Sequence, residues 1–463
     1  MRFDEHFLKG VVPESTVLHD NIPDDAQFSI DTRTMRPGEI FIALPGARQD
    51  GHNFLQQAVS GGAAGLIIQT ERESLLDTFD FEVLKKLFVV TVPDTMQALF
   101  RMARAWRAQF KYPVIGVTGS VGKTSTKELI AAIFCKNNTP CIASRSNQNT
   151  KIGLALNILR MRSKHEAAVF EMSSSARGEM AQLAELLRPT SGVITTVGHS
   201  HMEGIGSLQD IAQEKRMIFK YFTEDSIGVV NGDLPLLADV GYVHPVVKFG
   251  SKTINQIQAR KIHTSSSGIS FVLKIYQEKL NLHIKQPHMG AVFNALAAAA
   301  VAHLHGISTA VIAQAITDSI AVPGRFEECK LKGGRGILIN DSYNANPESM
   351  KASLLAFQQI EKRGQKIAVL ADMLELGVNS PFWHRQLGRF LRKVPSLKRV
   401  ILVGNMVQWT KKTLPAGLPI EHVVDWKQAV DVLKECLSDD SIVFVKGSRG
   451  MQLNKLVDEV CTR

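Results

Sequence analysis

Apolar residues in this chain fall into short continuous runs. Between the runs lie segments whose apolar residues recur every three to four positions, the pattern of buried parallel strands alternating with amphipathic helices. The clearest junction is residues 113–137, PVIGVTGSVGKTSTKELIAAIFCKN. Val114–Val117 predicts a buried strand, and Leu129, Ile130, Ile133 and Phe134 line one face of the helix that follows. A helix over Thr95–Phe110 leads into that strand. Further strands are expected near Ala167–Glu171, Gly192–Val197 and Ser226–Asn231, with helices between, which implies a mostly parallel sheet. Residues 254–286 break the alternation and read as a strand meander around Ser265–Gly268. An Ala-rich helix from Ala291 closes the unit.

The flanks follow the same rhythm. Residues 1–94 predict a small α/β domain, with a turn at Pro37-Gly38, a strand at Ile40–Leu44, then a helix, a Gly-Gly stop and another strand over 50–68. The last part has strands at Gly336–Asn340, Lys366–Ala371, Arg399–Gly404 and Ile442–Lys446, and helices at Pro347–Ile360 and Trp426–Leu437. This is a Rossmann-like doubly wound pattern. The expectation is an α/β protein of three domains: 1–94, a central 95–319 and a C-terminal 320–463.

Composition adds mainly exclusions. The 463 residues hold ample core, and 44% hydrophobic with 21% charged is ordinary for a globular chain. The net charge of +10 is spread out, with no long Lys/Arg run, which suits anionic small substrates and not nucleic acid. Five cysteines without a CxxC pair form neither a disulfide framework nor a metal cluster, and fit a reducing cytosol. MRFDEHFLKG is acidic and lacks the apolar centre of a signal peptide, and the stretch from Ala291 is too short and Ala-rich to span a bilayer. A cytoplasmic protein without membrane insertion is expected.

The candidate chemistry gathers at strand ends. Strand, glycine loop and helix, with Gly119-Ser120-Val121-Gly122-Lys123-Thr124-Ser125 at the bend, is the arrangement that cradles nucleotide phosphates. Lys123 would reach β/γ oxygens and the Thr124 hydroxyl would bind Mg²⁺. Val117 stands where a full Walker pattern has glycine. Glu171 ends an apolar strand, where an acid can hold Mg²⁺ or simply cap a helix. His199 and His201 lie in a loop after the next strand, as ligands or as solvated residues. Lys215 falls inside the apolar stripe of the helix SLQDIAQEKRMIFKYF, so it must snorkel, pair or lose its charge. A neutral lysine there is a nucleophile that CO₂ converts to a carbamate, a carboxylate-like metal ligand. Asp341, Tyr343 and Asn344 are candidates for contacts across a domain cleft. Asn346 and Pro347 read as a helix cap and first position. Lys446 and Arg449 lie where a carboxylate or phosphate would bind, and from spacing alone Arg33 and His52 read as turn residues.

These segments together resemble the Mur ligase family over nearly the whole chain. The resemblance rests on TRxxxPGEIFIALPGxxxDGHNF, TGSVGKTS, SHMEGIGSLQDIAQEK, PGRFE, DSYNANPESM, ADMLELG and VKGSR. SYNANPESM and DMLELG point to the family member that adds D-alanyl-D-alanine. The resemblance implies an ATP-dependent amide ligase in peptidoglycan precursor synthesis. ATP would phosphorylate the terminal carboxylate of UDP-N-acetylmuramoyl-tripeptide, and the amine of D-alanyl-D-alanine would displace phosphate. It further implies that Gly119–Ser125 with Lys123 hold the ATP phosphates, and that Asn294, Arg325 and Asp341 contact the nucleotide. Thr124 and Glu171 would hold one Mg²⁺, and His201 with a carbamylated Lys215 a second. Lys123, Lys215 and His201 would be catalytic. Thr32 and Arg33 would lie by the uridine diphosphate, and Tyr343, Asn344, Lys446 and Arg449 by substrate. A monomer is expected. Two stretches depart from the family pattern. Glu171 is followed by Met172-Ser173-Ser174-Ser175 in place of x-G-x-N, and His288-Met289-Gly290-Ala291 replaces G-x-H-N. The serine run resembles the sister ligase that adds a diamino acid, which stays an alternative, as does a non-catalytic nucleotide-binding regulator.

Overall fold

Three sheets organise the chain in a computed structural model that describes residues 3–46, 49–145, 148–265, 267–319, 322–361 and 364–462. The expected domain junction at 319/320 and the meander tip at Ser266 touch residues outside this set. The first sheet has five strands, in spatial order Thr16–His19, Phe88–Val92, Gly65–Gln69, Ile40–Ile42 and Phe28–Ser29. Only its first pair is antiparallel. The third sheet runs Glu327–Lys330, Gly336–Asp341, Ser441–Lys446, Lys366–Ala371, Leu397–Val403 and Ile420–Val423, parallel except at its first pair. Helices cover both of its faces, with Met350, Leu354 and Phe357 in one core and Leu433, Leu453 and Leu456 in the other. This is the expected doubly wound layer.

The central sheet has nine strands. The meander Ile257–Ser265, Gly268–Ile275, Glu278–Ile284 forms one antiparallel wing. The remaining strands are parallel, in the order Val246–Gly250, Ile227–Asn231, Ser191–Ile194, Val114–Thr118, Ala167–Glu171, Cys141–Ala143. The glycine-loop strand therefore lies between the strand ending in Glu171 and the strand leading to Thr195. Val117 pairs with Glu171 and Thr118 with Ile194, so three carboxyl ends meet at one edge. All three strands are buried along their length, which is why they read as continuous apolar runs.

The strand expected over Gly192–Val197 stops at Ile194. Thr195 donates its hydroxyl to Val121 O at 2.6 Å and Thr118 O at 3.2 Å, which pulls the chain onto the glycine loop. The helix expected through Phe222 is α-helical over Leu208–Arg216 and then tightens to a 3₁₀ turn. The edge strand Glu327–Lys330, with half its residues exposed and charged, gave no apolar signal. Asn346 caps the helix Pro347–Gln358 as expected, with reciprocal bonds to Ser349.

Phe444 is fully buried in the third sheet and stacks on Phe357 at 5.2 Å. Phe444→Ala should cost about 3–5 kcal/mol, read as a loss in urea unfolding. A loss under about 1 kcal/mol would show that this face is not a packed core.

Candidate active site

The glycine loop takes its shape from what presses on it. Gly122 has φ 89° and precedes the helix Lys123–Lys136, and Gly119 has φ 148°. A Cβ on Gly119 would lie 1.9 Å from Thr195 Oγ1, and one on Gly122 would lie 2.3 Å from Asn294 Oδ1. Neither position admits a side chain. No side chain caps this helix, so among the described residues no side chain competes for its first-turn N–H groups. Lys123 Nζ donates to Gly119 O at 2.8 Å, inside the loop it would leave to meet a phosphate. Desolvation lowers the Lys123 pKa, against the opposing pull of Glu171. Ser120 bonds Gly198 both ways, through O and N, at 3.0 Å.

Glu171 is buried beside this loop. It accepts from Thr124 Oγ1 at 2.8 Å and from Asn149 Nδ2 at 2.8 Å. His201 is in left-handed conformation before the short helix Met202–Ile205, and its Nδ1 lies 2.6 Å from Glu375 of the third sheet's domain. The His201 ring holds the Glu375 carboxyl below the usual range. Lys215 is 1% exposed, and no hydrogen bond or ion pair holds its ammonium among the described residues. Burial, with the nearby Lys123 charge, lowers its pKa to about 7. Snorkelling and pairing are thereby set aside, and loss of charge remains. Among the described residues no three His, Cys, Asp or Glu side chains form a cation cage. A cation here would need hydroxyl and phosphate oxygens as well, which is how Mg²⁺ is usually held.

A cavity of about 820 Å³ opens from the loop toward the third domain, lined by Gly122, Ser125, Asn294, Arg325, Asp341 and Lys446 among others. Arg325 stacks on Tyr343 at 3.9 Å, donates to Thr124 Oγ1 at 3.4 Å, and keeps a buried Nε without a partner. Lys446 is fully engaged: its Nζ lies 2.6 Å from Asp341 Oδ2 and donates to Asn344 O. Asp341 also accepts from Ser353. Tyr343 and Arg449 line a second cavity of about 590 Å³. Asn344 turns its side chain back on the Ala345 N–H. In the first domain, Arg33 is exposed and bonded to Asp31, and Thr32 donates to Gln57. His52 is a buried turn residue, held by Asp50 and by the Gln69 N–H.

Three family models match consecutive parts of the chain: the "Mur ligase family, catalytic domain" at 27–107, the "Mur ligase middle domain" at 117–302 and the "Mur ligase, glutamate ligase domain" at 324–449. The UDP-N-acetylmuramoyl-tripeptide–D-alanyl-D-alanine ligase of Bacillus subtilis is 33% identical over 96% of this chain and 94% of its own. The chain belongs to the Mur ligase family. The Escherichia coli ligase of the same name is 32% identical over 92% of both chains. Among solved structures, MurF from Acinetobacter baumannii superposes with a TM-score of 0.83 at 24% identity, covering 99% of this chain and 98% of that one. MurF ligase from Thermotoga maritima, solved in complex with ADP, gives 0.77 at 26% identity over 94% and 96%.

Three contributors of this Mur ligase escaped sequence reasoning. Asn149 orients Glu171 from a loop with no periodic signal. Glu375 and Glu348 reach the histidine loop from more than a hundred residues away. ADMLELG and NPESM carried these glutamates, but only as family marks.

The Lys215 shift sets a pH dependence. Between about 7 and the ordinary 10.5 the unfolded chain holds a proton on this lysine that the folded chain lacks, so stability rises with pH across that window. Lys215→Met should flatten that rise in urea unfolding under CO₂-free buffer. An unchanged slope would mean the amine is charged when folded.

Proposed function

We propose that this chain is the Mur ligase that adds D-alanyl-D-alanine to UDP-N-acetylmuramoyl-tripeptide with consumption of ATP. The observation that carries the reading is one loop with three neighbours: Thr124 bonded to Glu171, the Lys123 charge acting on a buried Lys215 that has no partner among the described residues, and a cavity shared with the third domain. Full-length similarity to ligases of that name supports it. Residues 1–94 would hold the UDP end, near Thr32 and Arg33. Residues 95–319 would hold ATP, and 320–463 the dipeptide. A cytoplasmic monomer fits a reaction on small anionic substrates; no helix among the described residues is long and apolar enough to cross a membrane.

The chemistry divides into two transfers. The tripeptide carboxylate takes the γ-phosphoryl group of ATP, giving an acyl phosphate and ADP. The dipeptide amine then attacks the acyl carbon, loses a proton, and inorganic phosphate leaves with the amide formed. Lys123 would exchange Gly119 O for phosphate oxygens, and the helix N–H groups would take up charge as it shifts toward the leaving ADP. Arg325, with its unpaired Nε, would face the same phosphates. Thr124 and Glu171 would hold one Mg²⁺ and His201 with a carbamylated Lys215 a second, and these cations would neutralise the transferred phosphoryl group. The third domain excludes water and brings the amine to the acyl carbon.

Phosphate release with a panel of amines tests this. Turnover is expected with UDP-tripeptide and D-alanyl-D-alanine. Turnover only with UDP-dipeptide and a free diamino acid would make the chain the sister ligase, and none with any pair would leave a non-catalytic nucleotide binder. In the same assay Lys123→Ala should lose at least about a hundredfold in kcat. Lys215→Ala should lose nearly all turnover, without rescue by bicarbonate. Full activity in that variant would remove the carbamate from the scheme.

A further inference from the structure

The loop between Val197 and Ile205 is fastened at both ends, and to different domains. On one side the Ser120 hydroxyl of the glycine loop donates to Gly198 O and accepts from Gly198 N, both at 3.0 Å. On the other side His199 meets the third domain. Its backbone N–H donates to Glu348 Oε2 at 3.1 Å, its ring Nδ1 bonds Glu348 Oε1, and its ring packs on Trp383 with centroids 4.3 Å apart. Two residues on, His201 faces Glu375, and the Glu203 N–H reaches Glu375 O at 3.4 Å.

Each third-domain partner is held rigidly. Glu348 stands in the first turn of the helix Pro347–Gln358, capped by Asn346 and Ser349, where an acid is favoured. Trp383 stands in the helix Ser380–Phe390. The approach is close enough that a side chain at Gly198 would have to push the Glu348 carboxylate aside. A Cβ on Gly198 would lie 3.0 Å from both Glu348 Cδ and Oε2, and its nearest neighbours are all atoms of Glu348.

We infer that His199, Glu348 and Trp383 form an interdomain latch that fastens the closed third domain to the phosphate loop through Gly198 and Ser120. These are positioning residues: none of them need touch a reacting atom. The latch holds the loop that carries His201 in place while the amine is delivered. Occupancy of the phosphate loop is thereby coupled to closure through Ser120, Gly198 and His199 to Glu348. The inference rests on the reaction proposed above, but the two fail separately. The amine panel tests which reaction occurs, whereas the latch is tested by ratios among variants and by fluorescence without turnover.

The test is a double-mutant cycle on the full chain. His199→Ala and Glu348→Ala should each lower kcat about tenfold, and the double variant should lose clearly less than the product of the two, because both remove the ring–carboxylate contact while each alone leaves one other tie. A multiplied loss near a hundredfold would overturn the latch. Gly198→Ala guards against misfolding. Its backbone is not in the left-handed region and the nearest atoms to its Cβ belong to the Glu348 side chain, so the chain should fold, yet kcat should fall as in Glu348→Ala. Undiminished turnover in Gly198→Ala would count against the latch. Trp383 emission, taken as the difference from Trp383→Phe, should rise in His199→Ala and in Gly198→Ala as the imidazole leaves the indole. Unchanged emission in both would show that the two rings do not meet in solution.

Discussion

The site depends on how closely two α-carbons are approached. Thr195 and Asn294 occupy the space where side chains of Gly119 and Gly122 would be. Thr195 directly follows the neighbouring strand and Asn294 lies in the Ala-rich helix, so one loop is clamped by two distant segments of the chain. The clamp leaves the helix N-terminus open to an anion and sets Thr124 against Glu171. With alanine at either glycine, the loop, the helix start and the Thr124 hydroxyl bonded to Glu171 would all shift together. Val117 needs no glycine, because it is a buried strand residue paired with Glu171 and takes no part in the bend.

Around that loop the structure spends buried charge in two ways. Lys446 is paired with Asp341 and stiffens the wall of the cavity. Lys215 is buried with no partner among the described residues, a costly arrangement unless the amine is neutral or modified. Structural lysines are usually paired or snorkelled, and Lys446 follows that rule while Lys215 does not. The third domain reaches the histidine loop through Glu348 and Glu375.

Much of this was legible beforehand. Strands with both faces buried are continuous apolar runs, so the sheet cores could be read directly, and Ala167–Glu171 and Lys366–Ala371 have the expected bounds. The glycine loop was legible because phosphate binding demands a local pattern. Lys215 stood out because it interrupts an apolar stripe. Edges and long-range contacts were not legible. Glu327–Lys330 is a charged edge strand, and Thr195, just past its strand, adds a hydroxyl contact to Val121 that has no period. Asn149, Glu348 and Glu375 act across the fold, where spacing along the chain carries no information.

The central claim is that the carboxylate is activated as an acyl phosphate in the pocket beside Lys123 and Glu171. Oxygen transfer tests it most directly. UDP-tripeptide labelled with ¹⁸O in its terminal carboxylate should deliver one labelled oxygen to each inorganic phosphate released, read by the ¹⁸O-induced shift in ³¹P spectra. Phosphate released without label, alongside amide formation, would contradict the account.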